Sequence, residues 1–172
     1  MKALELLAVA ALTALAATSC GVDMDSHARA AFFGRVPDGR WLYSAPVEFN
    51  TDSLPDSVVS GPLVLTLRHS SVYPYRNIWL EVEQGRLRQV ADTTVADSFR
   101  TVRVVSRDTF EIMLADPFGR WYGSGMGASL RRTDTVAPSY TLERGASLAV
   151  RHIMRVDTLP EVEQIGILII DN

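Results

Sequence analysis

The stretch Gly61-Pro62-Leu63-Val64-Leu65-Thr66-Leu67-Arg68 sets Leu63, Leu65 and Leu67 in alternation with Val64, Thr66 and Arg68. Fifteen positions after Leu63, Ile78, Leu80 and Val82 alternate in the same way with Trp79, Glu81 and Glu83. A period of two puts one set of side chains on one face of an extended chain, so both runs predict half-buried β-strands. Between them, Val72-Tyr73-Pro74-Tyr75-Arg76-Asn77 is too rich in proline and aromatics to continue either strand and reads as a turn.

Working outward, the pattern repeats. Upstream, Ala31-Phe32-Phe33, Trp41-Leu42-Tyr43 and Val47-Glu48-Phe49 are short strand candidates. Pro37-Asp38-Gly39 is a turn, with proline fixing φ and Asp-Gly supporting the reversal. Asn50–Ser57 reads as a loop. Downstream, Gly85 to Val90 reads as a polar segment and Ala91–Ser98 as a polar connection. Val102 and Val104, then Phe110, Ile112 and Leu114, alternate with polar neighbours. A glycine-rich block follows from Ala115 to Gly127, and Arg131–Ser139 reads as a loop. Tyr140-Thr141-Leu142 is a short strand and Arg144-Gly145 a turn. Ala146–Val156 fits strand or helix, and its neighbours favour strand. Ile165-Gly166-Ile167-Leu168-Ile169-Ile170 is apolar on both faces, as in a strand inside a covered sheet. Roughly eight to ten short strands with regular turn signals predict an all-β fold, a single antiparallel β-sandwich of jelly-roll or Ig-like type. Its expected span is 31–172.

The N-terminus reads differently. Met1-Lys2 is a positive start, weakened by Glu5, and Leu6–Ala17 is an apolar run of twelve residues. Crossing a bilayer takes about 20. The run ends in Ala17-Thr18-Ser19-Cys20, small residues before the chain's single cysteine, and looks like a bacterial lipobox. On this reading 1–19 is a lipoprotein signal peptide, Cys20 is lipidated, and 20–30 is a tether to the membrane. An odd cysteine in an exported chain cannot form an internal disulfide, and lipidation accounts for it. The competing readings are an ordinary signal peptide beside an unrelated cysteine, and a short uncleaved anchor.

Removing 1–19 leaves 153 residues, enough for one domain with its own core. Lys2 is the only lysine, so every later basic side chain is arginine, and the net charge stays at −3. A mildly acidic chain with no basic stripe argues against nucleic acid.

Little in the sequence calls for chemistry. His27, His69 and His152 lie far apart without metal-ligand spacing, and there is no Gly-x-Ser-x-Gly elbow. No catalytic residue, metal ligand or cofactor is expected. Gly123-Ser124-Gly125-Met126-Gly127 lacks the spacing and following helix of a dinucleotide loop. Its glycines fit a turn that needs φ > 0 or close backbone approach. Trp121-Tyr122 could offer a flat platform to a sugar ring, although such aromatics more often pack. Tyr73-Pro74-Tyr75 reads as a rigid turn first and a recognition surface second. Asp116-Pro117 starts a turn well.

These stretches together resemble the gliding-motility lipoprotein H (GldH) family of the Bacteroidota. Pro37-Asp38-Gly39-Arg40-Trp41 with Val47-Glu48-Phe49 resembles the family's early turn and strand. Leu67-Arg68-His69 with Tyr73-Pro74-Tyr75-Arg76-Asn77-Ile78 resembles its central signature. The longest match runs from Leu114-Ala115-Asp116-Pro117-Phe118-Gly119-Arg120 through Trp121-Tyr122-Gly123-Ser124-Gly125. Met154-Arg155, Leu159 and Val162-Glu163-Gln164-Ile165-Gly166-Ile167 resemble its closing segment. Two departures are Ala17 in the lipobox and Glu161-Val162-Glu163, where the family pattern leads one to expect a glycine near the loop. The resemblance implies a non-catalytic outer-membrane lipoprotein, with envelope protein partners in the gliding and linked secretion machinery. Tyr73, Pro74, Tyr75, Asn77, Asp116, Gly119, Trp121, Tyr122, Gly123 and Gly125 are its motif and possible interaction residues. Asp23 and Asp25 resemble the acidic export signal of surface lipoproteins in that phylum, which leaves the leaflet open. The alternative function is a surface lipoprotein binding glycans through Trp121, Tyr122 and the Tyr73–Tyr75 turn. A hydrolase is a distant third.

Overall fold

A computed structural model describes residues 27–91 and 99–171. Cys20, Asp23 and Asp25 lie outside the described residues. The strands in chain order are β1 (Ala28–Arg35), β2 (Arg40–Leu42), β3 (Val47–Asn50), β4 (Val58–Ser70), β5 (Asn77–Ala91), β6 (Phe99–Met113), β7 (Ser124–Met126), β8 (Ser129–Glu143), β9 (Ser147–His152), β10 (Thr158–Pro160) and β11 (Val162–Ile170). β1 takes in Ala28 to Ala30, which the sequence assigned to the tether.

Two antiparallel sheets face each other. One has the order β1-β11-β4-β8-β7, the other β3-β9-β5-β6, and β10 pairs with β2 as a small third ladder. Leaving out the short β2, β7 and β10, the strands pair first with last, second with seventh, third with sixth and fourth with fifth. That nested pairing is the jelly roll, one of the two sandwiches that the alternation left open.

The alternation does what a period of two requires. Leu63, Leu65 and Leu67 of β4 enter the core with Ile78, Leu80 and Val82 of β5, and with Ile165, Ile167 and Ile169 of β11. β11 lies between β1 and β4, and its other face is buried as well, with Leu168 opposite Val64 in register. The prolines fall where a ladder tolerates them: the β4–β8 register shifts on both sides of Leu63, beside Pro62 and opposite Pro138.

Two expectations are corrected. Arg131–Ser139 is no loop but most of β8, paired with β4 from Ser129↔Ser70 to Glu143↔Val58. Gly85 to Val90 continues β5 in register with β6 as far as Ala91↔Phe99. In both segments, ladder hydrogen bonds hold a polar strand that periodicity cannot reveal. Ala146–Val156 resolves into β9 followed by a turn.

The nested pairing sorts the connections by end. Four crossings between the sheets meet at one end: 36–46, 71–76, 114–128 and 153–161. The opposite end carries the β3–β4 and β8–β9 connections and the start of β1. Both ends of the described chain emerge there, Ala28 being paired with Ile170.

Candidate functional site

The two longest motif segments are consecutive sheet crossings, 71–76 from β4 to β5 and 114–128 from β6 to β8, and they close the same end of the sandwich. Backbone bonds lock them together. The Arg76 carbonyl accepts from the amides of both Leu114 and Ala115, at 2.7 and 3.0 Å. The Ser71 amide donates to the Ala128 carbonyl at 2.6 Å, tying the first crossing to the β7–β8 hairpin.

Aromatic rings fill the gap between the sheets. His69 lies 4.8 Å from the Trp121 ring and 5.5 Å from Tyr73, and Tyr73 meets Tyr75 edge-on at 5.8 Å. The Tyr73 hydroxyl donates to the Asn77 carbonyl at 3.1 Å, which pins the Tyr-Pro-Tyr turn to the first residue of β5. Burial raises the Tyr73 pKa, so the phenol keeps that proton. His69 is buried, with Nδ1 2.9 Å from the Ser70 carbonyl. Burial lowers its pKa, partly offset by the Ser70 hydrogen bond and by the Glu163 charge. Pro74 is exposed on the turn, where its fixed φ serves the backbone. The Asn77 amide donates to Glu111 at 2.6 Å.

Asp116 organises the second crossing. Its Oδ1 accepts from the Phe118 and Arg120 amides at 2.8 and 2.9 Å, and its Oδ2 from the Arg120 guanidinium at 2.6 Å. The Arg120 backbone bond is the largest influence holding this carboxylate below its usual range. Gly119 closes the turn at φ 83°, and Gly127 turns the β7–β8 hairpin at φ 65°, a region that favours glycine. Gly123 and Gly125 serve close approach instead: a Cβ there would run into the carbonyls of Arg131 and Ser129.

Trp121 and Tyr122 do not form one platform. Trp121 bridges to Ala115 and turns inward to His69, whereas Tyr122, 44% exposed, has Arg132 over its ring at 5.4 Å. Two large apolar side chains stand exposed beside these residues, Phe118 at 86% and Met126 at 91%, with the Arg120 guanidinium 5.9 Å from the Phe118 ring. Val72, on the first crossing, is exposed as well. The order of apolar residues cannot announce such a rim, because each of the three is isolated in its turn.

A second aromatic feature went unread in the sequence. Tyr75, Asn77, Trp79, Met154 and Arg155 line an open groove of about 680 Å³ beside the first crossing. Trp79 alternates outward from the core-facing Ile78 and Leu80, which is the signal that could have placed it.

The family model of the GldH lipoprotein matches residues 32–169, which takes in both crossings and most of the described chain. The chain belongs to the GldH lipoprotein family. No curated protein sequence matches it. Among solved structures, Eiger TNF from S. frugiperda is similar over 83% of this chain and 92% of its own, at 10% identity. The TM-score of 0.36 is too low to carry any argument. Within this GldH chain, the left-handed residue after β10 is telling. Glu161, first of the three residues that depart from the resemblance, holds φ 65°.

Proposed function

We propose that this GldH-family protein is a non-catalytic, lipid-anchored component of the cell envelope. Residues 1–19 act as its signal peptide, Cys20 carries the lipid, and the sandwich holds an interaction surface away from the membrane. The outer membrane is the expected site, and gliding or its linked secretion machinery the expected setting. One observation carries the reading: both long motif segments close the end opposite the chain's entry, under an exposed rim of Val72, Phe118 and Met126. Apolar side chains on a rigid rim suit a protein partner. The partner face would include Tyr122, while Tyr73, Asp116 and Trp121 hold its shape.

Crosslinking in intact envelopes tests this. The lipidated wild type is expected to recover motility or secretion components. Phe118→Ser with Met126→Ser is expected to lose them while keeping its fold. Equal recovery by this variant would remove the rim from the interface. Labelled palmitate incorporated by the wild type and absent from Cys20→Ala is the expected sign of the anchor.

The Trp79 groove supports glycan binding as a second reading. Trp79 offers an exposed ring, with Tyr75 beside it and Arg155 at hand. Loss of glycan-array binding in Trp79→Ala, with Phe118→Ser unaffected, would favour this reading over the first.

A further inference from the structure

β5 and β6 outrun the sandwich. β9 stops pairing with β5 at Gly85↔Ser147, yet β5 and β6 remain paired from Arg86↔Val104 to Ala91↔Phe99. Among the described residues the result is a two-stranded ribbon with one partner each and no third strand. One face carries Leu87, Ala91 and Phe99 with Arg103, and the other carries Arg86, Arg88 and Arg100 with Val90, Val102 and Val104. Leu87 and Phe99 are 74% and 70% exposed. Glu143 holds the base, accepting from Arg86 at 2.7 Å and from Arg88 at 3.0 Å. A lone ribbon gains little stability by itself in water, so apolar residues presented along one are surface in search of contact.

Its direction identifies the contact. The Gln84 amide donates to the Thr141 carbonyl, Thr141 pairs with Ser60, and the Ser60 carbonyl accepts from Arg29. Gln84 and Arg29 therefore stand at one height, at the end where the chain enters. From that height the ribbon runs on to Ala91, about 23 Å at the rise of an extended strand. The chain from Arg29 back to Cys20 spans at most about 32 Å when fully extended. The ribbon thus projects past the end at which the described chain begins, by less than the extended length of the segment back to Cys20.

We propose that the ribbon Arg86–Ala91/Phe99–Val104 is a second membrane contact, resting on an anionic phospholipid surface beside the lipid anchor. The proposal rests on lipidation of Cys20. Arginine guanidinium forks on one face suit phosphate headgroups, and Leu87 and Phe99 on the opposite face suit the acyl boundary, so the ribbon meets the surface edgewise with both faces in contact. The outer edges of the two strands leave backbone groups unpaired, which confines the contact to the wet interface. Two contacts would fix the sandwich upright and hold its crossing end away from the bilayer.

The test uses the mature lipidated protein in vesicles, with neutral or anionic lipid carrying a quencher. With Cys20 acylated, an introduced cysteine is the only free thiol, and a fluorescent probe is placed at Thr101→Cys or, at the far end, Phe118→Cys. The expected result is flotation with the vesicles and quenching at 101 several-fold above that at 118, rising with anionic lipid. Leu87→Ser with Phe99→Ser should abolish the difference. Arg88→Gln and Arg100→Gln should each shift the ratio of docked to free ribbon about fivefold. Flotation with equal quenching at both sites overturns the ribbon contact and leaves the anchor standing. Failure to float overturns the anchor and the ribbon's placement together.

Discussion

At the crossing end, Tyr73 is 3% exposed and rings from three segments plug the gap between the sheets. At the entry end, Leu87 and Phe99 stand in the open on a ribbon supported from one side. The first end is rigid because its side chains are spent on one another; the second is held by ladder bonds and surface ion pairs. A residue's type alone does not reveal which kind of end it serves. Tyr73 and Phe99 are both aromatic residues close to the end of a strand, yet the first packs and the second projects.

Substitutions should separate the ends by size of effect. Tyr73→Ala or Trp121→Ala empties the plug and is expected to cost about 3–5 kcal/mol, read from chemical denaturation. Leu87→Ser should stay within about 0.5 kcal/mol. A loss at Leu87 equal to that at Tyr73 would break the distinction. Glycines give the next contrast. A Cβ at Gly125 meets the Ser129 backbone, whereas one at Gly85 meets Ser147 Oγ and the tip of Arg103, which can move aside. Gly125→Ala should therefore cost about 1–3 kcal/mol, and Gly85→Ala clearly less.

Acid should loosen the crossing end first. His69 lies in the plug, and His152 is buried against the Trp41 ring at 5.6 Å. Burial lowers both pKa values from 6.5. The unfolded chain thus binds more protons than the folded one, so stability is full above pH 6.5 and falls as pH drops below it. The melting temperature should decline as pH falls below about 6.5, and His152→Leu should flatten that slope. The Asp116 carboxylate, held below its usual range, contributes stability that is lost only at lower pH. The smallest effect belongs to the entry end: Arg88→Gln removes an exposed pair with Glu143 and should cost under about 1 kcal/mol.

Much of the fold could be read from the sequence because Leu63 to Leu67, Ile78 to Val82 and Ile165 to Ile170 are strands whose burial writes itself as alternation or as an apolar run. β8 could not be read, since Arg131, Arg132, Thr133 and Asp134 are polar on both faces and are held by pairing with β4. Gly85 to Val90 of the ribbon failed for the same reason, whereas Val102 and Val104 of its partner strand were legible as alternation. Of the site, the turns were legible from Tyr73-Pro74-Tyr75, Asp116-Pro117 and Gly123 to Gly127, because turn chemistry is local. The convergence of those turns was not, because it depends on the nested strand order. Trp121 and Tyr122 diverge for a reason no dipeptide shows: one faces His69 and the other Arg132. Glu161 is the reverse case, where a departure in sequence located a strained backbone. Glu161→Gly should relieve it and stabilise the fold by about 1 kcal/mol, measurable by thermal melting.

The antiparallel seam between β1 and β11 has a mechanical meaning. A protein tethered at its N-terminus and gripped at its crossing end would be stretched along its strands. The pull arrives at Ala28 and runs down β1, whose bonds to β11 extend from Ala28↔Ile170 to Arg35↔Gln164. Those bonds lie across the load and share it in shear, so none can be unzipped singly. A slip by one residue would turn Phe32 out of the core and Phe33 into it, which makes the register itself the clamp.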